Sequence, residues 1–122
     1  MAGMFGDAIN GRADFFLQLT QAQREVSMLV QRLPFEAPLK AVEHQLASIA
    51  EWTANGRTPT AQERKSVTIG LLMFKEYDTS DDDGIYDVRS KLSSIDAYFK
   101  FWPDDKTAAD PENPSYLFFT DL

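Results

Sequence analysis

The chain has no cysteine among its 122 residues. That absence excludes a disulfide framework, a thiolate zinc site, an iron–sulfur cluster and a cysteine nucleophile. Histidine occurs once, as His44 in Glu43-His44-Gln45. With no second histidine four residues on, the zinc-protease arrangement is missing, and His44 reads as a surface or boundary residue. No Gly-x-Ser-x-Gly elbow, Walker loop or glycine-rich turn after a strand is present, so nucleophile and nucleotide-cradle signatures fail. Long apolar runs are also lacking. The longest, Ile69–Phe74, falls far short of the roughly 20 residues that cross a bilayer. Met1–Asn10 has neither a basic stretch nor an apolar run of useful length, so a cytoplasmic protein is expected.

What is present is ordinary for one globular domain spanning 1–122: 43% hydrophobic and 25% charged residues. The net charge of −7 is unevenly placed. Residues 1–75 hold seven acids and eight bases, whereas residues 76–122 hold twelve acids and four bases. Such a field repels phosphate backbones and anionic membranes and suits a basic partner. The bases form no stripe interleaved with aromatics, so nucleic-acid binding is not expected.

The apolar spacing is helical throughout. Phe15, Leu19, Ala22, Val26, Leu29 and Leu33 step by 4, 3, 4, 3, 4, with Phe5, Ala8, Phe16 and Val30 widening the seam. Gly11 weakens the first turn, and Pro34 and Pro38 stop the helix near Leu33. Leu39, Val42, Leu46 and Ile49 continue in a second helix that Pro38 opens and Asn55-Gly56 ends. Thr60 and Glu63 read as a capping box for a third, whose inner stripe is Val67, Leu71 and Phe74. Gly70, in its middle, points to a close helix crossing. After the break at 78–84, Ile85, Val88, Leu92, Ile95 and Phe99 define a fourth helix that Pro103 ends. The prediction is an all-α antiparallel bundle of four helices near 7–33, 37–55, 60–77 and 82–102, with Leu71 in the core. An irregular tail, 103–122, closes on Tyr116-Leu117-Phe118-Phe119, apolar enough to be expected to dock.

The acidic cluster before the fourth helix invites a calcium reading. Placing Gly84 at position 6 of an EF-hand loop puts Thr79 at position 1 and Ser90 at position 12, where carboxylates are required. Calcium is therefore not expected, and neither is any other metal or cofactor. Asp81, Asp82 and Asp83 instead stand at a helix N-terminus, where negative charge is favoured. Three acids exceed what one cap needs.

Two stretches carry a family resemblance. One is Pro34–Ile49, with Gln45-Leu46 and Ile49. The other is Val67–Asp81, with Thr68-Ile69-Gly70, then Lys75-Glu76-Tyr77-Asp78 and a following Asp81. Together, over residues 34–98, the chain resembles the all-helical immunity proteins that neutralise NAD(P)-glycohydrolase toxins of the bacterial type VI secretion system. The resemblance implies a helical protein, not an enzyme, that binds a toxin domain one-to-one and covers its active site so that NAD cannot enter. The first helix and the tail lie outside the matched part.

A pocket that accepts a dinucleotide tolerates phosphates and is often basic, so the expected partner is a toxin domain basic around its active site. The candidate binding residues are Glu76, Asp78, Asp81, Asp82, Asp83 and Asp87, flanked by Tyr77 and Tyr86 as aromatic anchors. The alternative expectation is a small acidic adaptor or chaperone for a secreted effector, which would bind a targeting segment and leave catalysis intact.

Overall fold

A computed structural model describes residues 9–77 and 79–103. Its helices are α1 (Arg12–Arg32), α2 (Ala37–Trp52), α3 (Ala61–Ser66), α4 (Ile69–Tyr77) and α5 (Asp83–Phe101), with a short 3-10 turn at Ala54–Gly56. The described residues contain no strand, so the fold is all-α. Among them no helix is long and apolar enough to cross a membrane.

Side-chain contacts fix the helix directions. Along α1, Arg12, Glu25 and Arg32 meet Tyr98, Lys91 and Asp82 of α5, so the two run antiparallel. In α4, Gly70 meets Asp96 and the Tyr77 carbonyl meets Arg89, again antiparallel to α5. Glu36 at the start of α2 meets Tyr77, and Gln45 meets Thr68, so α2 and α4 are antiparallel too. The core between them holds Phe15, Val26, Leu39, Leu46, Ile49, Leu92, Ile95 and Phe99, all essentially inaccessible. These are the residues that the 3–4 stepping of α1, α2 and α5 turns inward.

Local signals end the helices. Gly11, at φ 135, turns the chain into α1 at Arg12, the late end of the 7–12 range that the weak first turn allows. Asn55 and Gly56 adopt left-handed φ of 57 and 79 after α2. Thr60 and Glu63 form the reciprocal capping box. Asp82 caps α5 by accepting from the Ile85 N–H, and Trp102 ends that helix in the left-handed region.

The third segment departs from expectation. The single helix expected over 60–77 is two helices, α3 and α4, separated by Val67 and Thr68. Val67 is extended (φ −80, ψ 132) and its side chain is 2% exposed. The Gln45 amide holds the break: its oxygen accepts from the Thr68 N–H at 2.7 Å and its nitrogen donates to the Thr68 hydroxyl at 2.9 Å. The break resets the helical phase, so Ile69, Met73 and Tyr77 face inward. Leu71 and Phe74, expected in the core, are 55% and 66% exposed.

Candidate functional site

One end of the bundle gathers the C-terminus of α1, the turn 33–36, the C-terminus of α4 and the start of α5. The acidic cluster stands there. Arg32 grips Asp82 with both guanidinium nitrogens, at 2.9 and 2.8 Å. Those two hydrogen bonds, with the Ile85 N–H, pull the Asp82 carboxyl down to about 2. Gly84 lets α5 approach α1 this closely, because a Cβ there would meet Leu29 Cδ2 at 2.8 Å and Arg32 Nη2 at 2.9 Å. The acidic turn is thus tied to α1 and displayed by a rigid helix start.

The candidate residues divide. Glu76, Asp81, Asp83 and Asp87 are exposed. Tyr86 is also exposed, with the Arg89 guanidinium 5.0 Å from its ring centroid. Asp82 is half-buried and engaged in its cap and ion pair. Asp78 lies outside the described residues. Tyr77 is a correction: it is buried, and its hydroxyl donates to the Glu36 carboxylate at 2.9 Å. Burial, then the neighbouring Glu36, raises its pKa and keeps the phenol protonated. It braces α4 against the start of α2 rather than anchoring a partner.

Two residues that the sequence reading did not single out stand at this end. Phe35, in the turn between α1 and α2, is 96% exposed. Met28 is exposed on α1 and lines, with Leu29, Gly84 and Asp87, a groove of about 630 Å³ between α1 and α5. The signal for Phe35 was its setting between Pro34 and Pro38, which leaves a turn too short to tuck a ring inward. Met28 sits off the 4–3 seam of α1, an outward position by spacing alone.

His44 is exposed on α2. Among the described residues no group of three or more His, Asp or Glu side chains converges as a metal site would.

Several residues of the resemblance work inside the bundle. Gln45 and Thr68 hold the α3–α4 break, Gly70 admits Asp96, Tyr77 braces Glu36, and Leu46 and Ile49 are core. Lys75, Glu76 and Asp81 are exposed. Comparison with family models, curated proteins and solved structures finds no match.

Proposed function

We propose that this chain works by binding. In this reading it seats its acidic end against the basic mouth of a toxin's active site and blocks entry of substrate one-to-one, as the immunity proteins resembled by residues 34–98 would. The supporting observation is one juxtaposition. Exposed Asp81, Asp83 and Asp87 share the bundle end with exposed Phe35, Met28 and Tyr86, on a helix start fastened by Arg32 and Asp82. Carboxylates speed encounter with a basic pocket, and apolar side chains supply the contact that slows release. Because the helix is already ordered, little loop entropy is lost on docking. The cognate toxin is proposed to degrade NAD(P), since a dinucleotide pocket accommodates phosphates with cationic groups.

The test looks for a toxin domain in the open reading frame beside the gene and pairs the protein with it. Co-expression should rescue growth, and purified protein should abolish NAD(P) consumption at a one-to-one ratio. Changing Asp81, Asp83 and Asp87 together to Asn should slow association and flatten its salt dependence, with the fold intact. Asp82 is left alone because it caps α5. A complex that leaves catalysis unaffected would replace this reading with that of an effector chaperone.

A further inference from the structure

The groove between α1 and α5 is closed at both ends by ion pairs. At one end Arg32 of α1 holds Asp82 with both guanidinium nitrogens. At the other, Lys91 of α5 reaches Glu25 at 3.2 Å and Gln21 at 3.3 Å. Glu25 and Arg32 stand two turns apart on α1, about 10 Å along its axis. Between them Met28 is 63% exposed and Leu29 is buried, while Gly84 of α5 adds no side chain. The result is a slot with an apolar floor. It is about as long as a packed helix is wide, so it admits a side chain and not a helix laid along it.

Its charge is equally defined. Arg32 offsets Asp82, and Lys91 offsets Glu25. Asp87, one turn after Gly84 on the α5 wall, is exposed and has no hydrogen-bond or ion-pair partner among the described residues. One uncompensated carboxylate therefore stands beside the apolar floor. A purely apolar occupant would strip water from that carboxylate and return nothing. An acidic one would be repelled. The tail over 104–122, expected to dock through Tyr116–Phe119, lies outside the described residues, and its excess of acids is the wrong charge for this slot. Lysine brings a compact, strongly hydrated ammonium. Arginine pairs a carboxylate through two N–H groups and gives up its water more readily. Its methylene stem also covers apolar surface such as Met28 and Leu29.

We propose that the slot takes one arginine side chain of the partner, with its guanidinium on Asp87 and its stem on Met28. The proposal rests on the binding role argued above and names what the partner inserts. Exposed rim charges govern encounter, whereas a charge pair that loses its water governs release. Asp81 and Asp83 then steer, and Asp87 holds.

The free protein is tested first, with acetyl-Leu-Arg-Leu-amide and with the same peptide carrying citrulline, which keeps the shape of arginine without its charge. The arginine peptide should shift the Met28 methyl and the Gly84 and Asp87 amide resonances saturably. Citrulline should weaken binding by about tenfold or more. Asp87→Asn should abolish the response. So should Met28→Arg, which fills the slot from within, with the rest of the spectrum unchanged. Equal shifts with citrulline, shifts centred on Asp81 and Asp83, or no saturable shift overturn the proposal. With the toxin, Asp87→Asn should raise the dissociation rate by about tenfold or more, whereas Asp83→Asn should mainly slow association. A toxin that is blocked, and that leaves Asp87→Asn no faster than the parent, overturns the slot while the binding role stands. If no toxin is blocked, the binding role fails and the peptide result alone decides the slot.

Discussion

The backbone N–H of Gly70 donates to the carboxylate of Asp96 at 2.5 Å, across the α4–α5 crossing. Asp96 is buried and also paired with Lys100 at 3.1 Å. A carboxylate from one helix thereby supplies the N-terminal acceptor that another lacks. A Cβ at Gly70 would stand 3.0 Å from Asp96 Oδ2, so any larger residue there pushes the carboxylate back.

This relationship sets the sign of a substitution that helix propensity alone gets wrong. Propensity alone would have Gly70→Ala, at the second residue of α4, gain up to about 1 kcal/mol. Here the Asp96 carboxylate would have to retreat from its hydrogen bond, so a net loss of about 1–2 kcal/mol is expected. Asp96→Ala leaves the Gly70 N–H without its acceptor and should cost about 1–3 kcal/mol. Urea unfolding measures both, and a stabilised Gly70→Ala variant would contradict the crossing.

The phase of α4 is testable in the same assay. Leu71→Ala should cost less than about 1 kcal/mol, as a substitution on a half-exposed side chain does. Met73→Ala, at a position 1% exposed, should cost about 2–5 kcal/mol. The reverse order would restore the single-helix reading of 60–77.

Asp82 links stability to acid pH. Its carboxyl lies at about 2 in the folded protein against an ordinary 3.8. A depressed folded value means that the charged form is favoured by folding. The contribution is fully present above the ordinary value and is lost as pH falls from about 4 through 2. Asp82→Asn retains an N-cap acceptor but not the charge. Its melting temperature should lie below that of the parent at pH 7, and the gap should close as pH approaches 2. A gap that persists unchanged at pH 2 would show that the cap, not the Arg32 pair, carries the effect.

Phe35 and Tyr77 should separate binding from folding. Phe35→Ser, at a fully solvated turn position, should leave stability within about 0.5 kcal/mol of the parent. Under the proposed function it should weaken toxin binding at least tenfold, by about 1.4 kcal/mol. Tyr77→Phe strips Glu36 of a hydrogen bond and should cost about 1 kcal/mol of stability with binding retained. Calorimetric titration and thermal unfolding on the same samples distinguish the two.

The helical class and most of the core are legible in the order of residues alone. Apolar residues spaced by threes and fours bury one face of any helix they form, and Phe15, Leu46 and Leu92 follow that rule. The capping box at Thr60 and the stop at Asn55-Gly56 were legible too, because their partners lie within three or four residues, whereas the choice of Asp82 among the three acids of 81–83 as the cap of α5 was not. Where the third segment breaks depends on contacts between helices. That break depends on Gln45, 23 residues before Thr68, and the facing of α4 depends on Asp96, 26 residues beyond Gly70. The same distance separates the candidate site into what is displayed and what is not. Tyr77 looked like an anchor beside the acids until Glu36, 41 residues away, claimed its hydroxyl. Periodicity fixes a phase only while a helix stays unbroken, and a polar side chain from another helix can end it without leaving a local mark.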